Sequence, residues 1–207
     1  MSAPVTTRSE MDQRLKRREV AKALLADRGD LLVVAGLGSA AWDVTAAGDH
    51  PLTFPLWGAM GGAPAIGLGL AIAQPDRRVV VVTGDGELLM GMGSLATIGI
   101  ARPGNLSVVV LDNERYGETG MQESHTAHGV DLAAVAAACG FHKVSTITAM
   151  QQVEQLRADM HSVQGPLFAQ IKIAAENLPL TLPPRDGTHL KNRFREALLG
   201  DKAHFQR

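Results

Sequence analysis

The stretch VVVVTGDGELLM, residues 79–90, decides the fold class and raises the question of function. Four valines and a threonine in a row are β-branched residues, which favour a buried strand that ends at the first glycine. Asp85 stands between Gly84 and Gly86, so we expect its carboxylate in the turn after the strand, outside the core. The apolar segment that begins at Glu87 predicts a helix. By itself, a Gly-Asp-Gly turn is typical of a solvated aspartate.

The composition is that of an ordinary globular chain and argues against two kinds of partner. Of the 207 residues, 45% are hydrophobic and 20% are charged, which suits one domain with a sizeable core. A net charge of −1 and 4% aromatic residues argue against nucleic-acid binding. No apolar run reaches the roughly 18 residues of a membrane span, so we expect a cytoplasmic protein. The single cysteine, Cys139, is interpreted as a packing residue.

Predicted strands and helices alternate along the whole chain. The strands are apolar throughout, which is typical of parallel sheets covered by helices on both faces. We therefore predict a doubly wound α/β fold with a mainly parallel sheet. We also expect a helix over 87–101, a polar loop over 114–129, and an opening helix capped by Gly29. The predicted divisions are an N-terminal helix over 1–30, a binding domain over 31–178, and a tail with a charged helix over 179–207.

Oxygen ligands follow two of the predicted strands. Asp85 comes after the valine strand, and the next strand ends in Asp112 and Asn113. Ligands of parallel α/β sheets bind at the edge where the strands end. If these two strands are neighbours, about 4.8 Å apart, Asp85 and Asn113 present two oxygen atoms to one point. Such ligands suit Mg²⁺, which takes its remaining ligands from water and phosphates.

The same turn also offers a place for a phosphate group. Gly84 and Gly86 carry no side chain, so the backbone there can approach a ligand closely. A helix that begins at Glu87 would direct free N–H groups and its positive dipole end toward an anion. A metal ligand pair and a phosphate-binding turn therefore coincide at one sheet edge.

The segment GDGELLMGMGSLATIGIARPGNLSVVVLDNERYGETG, residues 84–120, resembles the cofactor motif of thiamine-diphosphate-dependent enzymes. Within that family it resembles the β subunits of sulfopyruvate decarboxylases and the C-terminal halves of phosphonopyruvate decarboxylases, over about residues 31–175. The resemblance implies that Asp85 and Asn113 bind Mg²⁺ by side chain and Arg115 by its backbone carbonyl. It also implies diphosphate contacts around Gly84, Gly86, Glu87 and Leu88. Asp112 replaces the Asn of the commoner Asn-Asn pair, at a position that is not a metal ligand of the family.

A second informative stretch is FPLWGAMGGAPAIGLGLA, residues 54–71. Taken alone it is a glycine-rich turn that opens a tightly packed helix, in which Met60 is a candidate core residue. The family resemblance implies another role for Met60, as the apolar residue beneath the cofactor that holds its two rings in a bent conformation. Gly58 would then offer its carbonyl group to the amino group of the cofactor.

The segment from Gly36 to Ala41 carries the pattern G-x-G-x-x-A, which is also the pattern of a dinucleotide-binding loop. That function requires an acidic residue at the end of the next strand, and the sequence HPLTFPLWGAMGG offers no such strand. In the thiamine diphosphate interpretation, Gly38 and Ser39 of this loop contact the diphosphate.

The substrate side of the site is represented by His125 and His128, which follow the metal ligands and are possible substrate contacts. The resemblance further implies that a glutamate from a separate pyrimidine-binding α subunit activates the cofactor, because 207 residues hold only the diphosphate-binding domain. We therefore expect the β subunit of an α2β2 decarboxylase that acts on a 2-oxo acid, with thiamine diphosphate and Mg²⁺ as cofactors. The alternatives are a carboligase or acyl-CoA lyase subunit on the same cofactor, and a non-catalytic cofactor-binding subunit.

Overall fold

The computed structural model describes residues 14–204. Its strands are β1 Leu32–Ala35, β2 Thr53–Pro55, β3 Val79–Gly84, β4 Leu106–Asp112, β5 Arg115–Tyr116, β6 Gln122–Glu123, β7 Lys143–Ile147 and β8 Leu167–Lys172. Its α-helices are α1 Arg17–Leu24, α2 Ser39–Ala46, α3 Ala63–Ala73, α4 Asp85–Met90, α5 Gly93–Ala101, α6 Leu132–Ala138, α7 Met150–Ser162 and α8 Gly187–Leu199. Two 3₁₀ helices span His125–His128 and Gly200–His204. None of the helices in 14–204 combines the length and apolar composition that crossing a bilayer requires.

Six strands form one sheet in the order β2-β1-β3-β4-β8-β7, and every neighbouring pair is parallel. Helices cover both of its faces, because successive side chains of each strand point to opposite sides. Val80 and Val82 of β3 pack in a cluster with α1, α2 and α7, whereas Val79 and Val81 pack with α3, α5 and α6. The prediction of a doubly wound, parallel α/β fold is confirmed.

Three details of the predicted elements are wrong. The helix expected over 87–101 is two helices, α4 and α5, with a turn at Gly91 between them. Gly91 packs closely against Gly61, since a Cβ on Gly91 would lie 2.0 Å from the Gly61 carbonyl oxygen. The stretch near Pro55 does contain a strand, β2, although no acidic residue ends it. The loop predicted over 114–129 contains the β5–β6 hairpin and a 3₁₀ helix.

The two ends of the described chain pack against the sheet layers. Helix α1 ends at Leu24 rather than at Gly29, and the part of the predicted opening helix before Arg14 lies outside the described residues. Helix α8 begins after Asp186, whose carboxylate accepts hydrogen bonds from two backbone N–H groups of its first turn. The Phe194 ring of α8 packs edge-on against the Phe54 ring of β2, with 5.6 Å between the ring centroids. The predicted division into three segments stays a prediction.

Two glycines of α3 provide a test of how closely this helix packs on the sheet. A Cβ on Gly67 would lie 2.2 Å from Cγ2 of Val81, whereas a Cβ on the exposed Gly69 would meet nothing within 4 Å. Overpacking a core costs about 1–3 kcal/mol, and alanine gains roughly 0.5–1 kcal/mol over glycine in a helix. We predict that Gly67→Ala lowers the free energy of unfolding in urea and that Gly69→Ala raises it. Equal stability of the two variants would contradict the described packing.

Candidate functional site

A cavity of about 200 Å³ opens beyond the carboxyl ends of β3 and β4. The two strands are neighbours in the sheet, with Gly84 opposite Leu111, as the sequence predicted for the metal ligand pair. The predicted site residues that line the cavity are Ser39, Met60, Gly84, Asp85, Gly86, Glu87, Asn113 and Arg115. The structure therefore brings together eight positions that lie up to 76 residues apart in the chain (115 − 39 = 76).

The other predicted site residues do not line this cavity. Gly38 lies immediately behind it, with a φ angle of +80° and the Glu118 carboxylate close to its Cα. Gly58 is exposed in the loop before Met60, and the Leu88 side chain is fully buried in the core. The remaining members of this group are the exposed His125 and His128 of the 3₁₀ helix.

Asp85 is one of the buried carboxylates that line the cavity, together with Asp43 and Glu87. The sequence predicts it outside the core, but it is buried, with only 2% of its surface exposed. Its Oδ2 accepts a hydrogen bond from the Ser124 hydroxyl at 2.5 Å, and the Thr126 hydroxyl oxygen lies 3.2 Å from the same atom. Burial, and secondarily the negative charge of Asp112, raise the pKa of Asp85 to about 6. No cationic side chain among residues 14–204 forms an ion pair with Asp85.

Asp112, by contrast, has a complete set of hydrogen-bond donors. Its Oδ1 accepts from the backbone N–H of Glu114 at 3.0 Å and the Thr126 hydroxyl at 2.8 Å. Its Oδ2 accepts from Gln170 and from the Lys172 ammonium, both at 2.6 Å. Two donors on each oxygen use all of its lone pairs, so Asp112 has none left for a metal ion.

Asn113 keeps part of its acceptor capacity. Its Oδ1 accepts one hydrogen bond, from the backbone N–H of Arg115 at 2.9 Å, which leaves one lone pair on the amide oxygen. The residue between them, Glu114, has the left-handed φ angle of +61°, which is strained for a side chain of this kind. Ion pairs of Glu114 with Arg14 at 2.9 Å and Lys172 at 3.0 Å hold this turn in place.

Glu87 joins the loops that form the cavity walls. Its carboxylate accepts a hydrogen bond from the Thr83 hydroxyl at 2.6 Å, and backbone N–H groups of Leu37, Gly61 and Ala63 face it. A Cβ on Gly36 would lie 1.8 Å from its Oε2. Burial raises the pKa of Glu87 more than these donors lower it. One buried carboxylate thus fixes the ends of β1 and β3 and the start of α3 relative to each other.

Met60 lies at the mouth of the cavity. It is 44% exposed, so the interpretation of Met60 as a core residue is wrong. The preceding residue, Ala59, has a φ angle of +61°, which a bulky L-residue adopts only at a cost. The next residue, Gly61, is packed against the backbone of Gly91. The contact between Gly61 and Gly91 therefore holds the loop in place, and the Met60 side chain lies at the cavity opening.

The sequence did not predict several residues of the site, because the contacts that place them join distant parts of the chain. Arg17 of α1 lines the cavity and its Nε lies 3.1 Å from the fully buried Asp43. The Tyr116 ring packs on Gly86, where a Cβ would lie 2.6 Å from two ring carbons, and its hydroxyl lies 3.2 Å from Nδ1 of His125. No local pattern in α1 or in the hairpin indicates these contacts.

The charged side chains near the opening are partly engaged with each other. Arg115 and His128 both lie 3.2 Å from the carboxylate of Glu123. No group of three or more His, Cys, Asp or Glu side chains within the described residues is arranged to bind a metal ion. A cation at Asp85 would therefore depend on amide, carbonyl and ligand oxygens beside the one carboxylate.

Comparison with known proteins identifies the family. The family model described as thiamine pyrophosphate enzyme, C-terminal TPP binding domain, matches residues 37–171. The chain belongs to this family. The family resemblance predicted from residues 84–120 is confirmed.

Individual relatives agree with this assignment. The β subunit of sulfopyruvate decarboxylase from Methanothermobacter thermautotrophicus is 36% identical over 186 residues, which cover 90% of this chain and 97% of that subunit. Phosphonopyruvate decarboxylase from Streptomyces viridochromogenes is 39% identical over 167 residues, which cover 80% of this chain and 42% of that enzyme.

A solved structure supports the fold. Benzoylformate decarboxylase from Polynucleobacter necessarius matches with a TM-score of 0.66 at 18% identity, over 86% of this chain and 36% of that one. This chain therefore spans about a third of the length of that enzyme.

Proposed function

We propose that this chain is the β subunit of a two-subunit, thiamine-diphosphate-dependent decarboxylase of 2-oxo acids, and that it binds the cofactor diphosphate together with Mg²⁺. The observation that carries the proposal is the Asp85 carboxylate, which lines the cavity, is buried, and has no cationic partner among residues 14–204. The high identity to a sulfopyruvate decarboxylase β subunit over nearly its whole length supports the reaction class.

The donor set suits Mg²⁺. Burying an ionised carboxylate without a counter-ion costs roughly several kcal/mol in desolvation free energy. A divalent cation bound at Asp85 offsets that cost. Asn113 has an unused lone pair on its amide oxygen, and Arg115 lines the same cavity, so we assign its backbone carbonyl as the third protein ligand. Mg²⁺ normally uses few protein ligands and completes its octahedron with water and phosphate oxygens. Asp112 is excluded from this role because its acceptors are saturated.

The floor of the cavity suits a diphosphate group. Gly84 has open space where a side chain would lie, whereas Gly86 lines the cavity beneath the Tyr116 ring, and Ser39 at the start of α2 lines the same cavity. We assign diphosphate contacts to these residues, with Gly38, Glu87 and Leu88 supporting the loops by their backbone. Arg17, which the sequence did not predict, adds a guanidinium group to the same cavity.

Met60 and Gly58 are assigned to the ring end of the cofactor, at the mouth of the cavity. Bound thiamine diphosphate supplies the electron sink that allows the bond between the carbonyl carbon and the carboxylate of a 2-oxo acid to break. Arg115, His125 and His128 lie on the hairpin and the 3₁₀ helix above this opening and are proposed to contact the substrate. The guanidinium group of Arg115 and the N–H donors of the two imidazoles suit a substrate with a second anionic group, such as a sulfonate or phosphonate.

A separate pyrimidine-binding α subunit is proposed to complete the site and to supply the activating glutamate. Helices α3 and α5 contain no charged residue, and large apolar side chains on them, on α4 and on the loop before α3 form an exposed apolar set. Its large exposed members are Met60, Ile66, Ile72, Met90 and Ile100. Exposed apolar surfaces of this kind are typical of protein interfaces. We propose an α2β2 assembly with the cofactors between α and β subunits.

The metal assignment is tested by cofactor binding. Asp85→Asn keeps the shape of the side chain and removes its charge, so we predict that Mg²⁺-dependent binding of thiamine diphosphate weakens by more than the roughly 10–100-fold typical of outer-shell changes. Asp76→Asn, in the exposed turn before β3, is the matched control and should bind as the unchanged chain does. Isothermal titration with Mg²⁺ and with a chelator measures this. Binding by Asp85→Asn equal to that of the control would refute the assignment.

The reaction is tested by reconstitution. We predict no release of CO₂ from 2-oxo acids by the purified chain with thiamine diphosphate and Mg²⁺, and release after addition of a subunit that carries the pyrimidine-binding domain. A panel of 2-oxo acids should favour those with a second anionic group. Turnover by the single chain would contradict the two-subunit proposal. Coupled products instead of an aldehyde would indicate a carboligase, and a complex that releases no CO₂ would indicate a non-catalytic subunit.

A further inference from the structure

Two hydroxyl groups lie between the buried carboxylates of Asp85 and Asp112. Ser124 and Thr126 come from the segment at the start of the 3₁₀ helix, and they are 0% and 5% exposed. The Ser124 hydroxyl lies 2.5 Å from Oδ2 of Asp85 and 2.9 Å from the Thr126 hydroxyl. Thr126 lies 3.2 Å from the same Asp85 oxygen and 2.8 Å from Oδ1 of Asp112. The four oxygen-bearing groups form one continuous network.

The number of protons restricts how this network is connected. Ser124 and Thr126 each carry one hydroxyl hydrogen, and two ionised carboxylates are acceptors only. The shortest contacts assign the Ser124 proton to Asp85 and the Thr126 proton to Asp112. The Thr126 oxygen is then fixed by Asp112, which Lys172 and Gln170 hold at 2.6 Å each. Thr126 then contacts the Ser124 oxygen at 2.9 Å with no proton between them, so it limits where Ser124 can lie by packing and not by a hydrogen bond.

We propose that Ser124 and Thr126 are positioning residues for the metal-binding carboxylate, anchored to the sheet through Asp112 and Lys172. Both hydroxyl groups contact Oδ2 of Asp85, so Oδ1 is the oxygen left for the cation and Asp85 binds it through one oxygen. This inference rests on the proposed function and adds two residues to it that neither the cofactor motif nor the family match assigns.

The network also gives Asp112 a defined function. In place of the amide of an Asn-Asn pair, the chain has a second carboxylate beside the metal site, and Lys172 neutralises it at 2.6 Å. The pair Asp112–Lys172 is therefore a fixed, neutral ion pair in the sheet. The Thr126 hydroxyl donates a hydrogen bond to its Asp112 member. A purely structural network would stabilise the loop over 124–128 without affecting how strongly Asp85 binds a cation.

The test compares variants that remove one hydroxyl group. Thr126→Val keeps the shape of the side chain, Thr126→Ser restores the hydroxyl, and Ser124→Ala removes the other donor. Thr53→Val is the matched control. Thr53 lies on β2, outside the cavity lining, and is only 4% exposed. Its hydroxyl accepts a hydrogen bond from Arg28 at 2.7 Å. The measured quantity is the Mg²⁺ concentration at half-saturation of thiamine diphosphate binding by the full chain, alongside the thermal unfolding midpoint.

We expect Thr126→Val and Ser124→Ala to raise the half-saturating Mg²⁺ concentration by roughly 10-fold or more, with Thr126→Ser close to the unchanged chain. Thr53→Val should lower the unfolding midpoint and leave the Mg²⁺ requirement unchanged. If Thr126→Val does not fold, Ser124→Ala decides the result. The same Mg²⁺ requirement in the hydroxyl variants and the unchanged chain would overturn the inference. Failure of the unchanged chain to bind the cofactor with Mg²⁺, both alone and with the pyrimidine-binding subunit added, would instead refute the proposed function.

Discussion

The site is organised around two buried carboxylates, Asp85 and Asp112, and within the described part of the chain only Asp112 has a counter-ion. Asp85 and Asp112 end neighbouring parallel strands, and both are almost fully buried. Lys172 neutralises Asp112, whereas among residues 14–204 no cation pairs with Asp85. Burying an ionised carboxylate is expensive unless it is paired. The unpaired charge at Asp85 is the constraint that a bound cation satisfies, and the surrounding hydrogen bonds keep the carboxylate in place.

The rest of the site follows from how the loops meet at this sheet edge. Glu87, two residues after Asp85, connects the end of β1, the end of β3 and the start of α3. Glycines allow these backbones to approach, most closely where Gly61 meets Gly91. That contact ends α4 and supports the loop that carries Met60 at the cavity mouth. The metal end and the ring end of the proposed cofactor site are thus parts of one packed unit, with an uncharged face of α3 and α5 beside it.

The sequence predicts the sheet and the central ligand pair because both depend on local patterns. Valine runs mark β3 and β4, Gly84 marks the end of β3, and neighbouring parallel strands bring Asp85 and Asn113 together. Three features are not local. Ser124 lies 39 residues from Asp85, Lys172 lies 60 residues from Asp112, and Arg17 reaches the cavity from α1. Because no short motif records these pairs, the sequence predicts Asp85 as a metal ligand but neither its burial nor the hydroxyl groups beside it.

The most direct test of this account is the position of a metal ion in crystals of the chain grown with thiamine diphosphate and Mn²⁺, located by anomalous scattering. We predict one peak, within coordination distance of one Asp85 carboxylate oxygen, the Asn113 amide oxygen and the Arg115 carbonyl oxygen, with Asp112 still paired to Lys172. A peak coordinated by Asp112, or bound cofactor with no metal at Asp85, would contradict it.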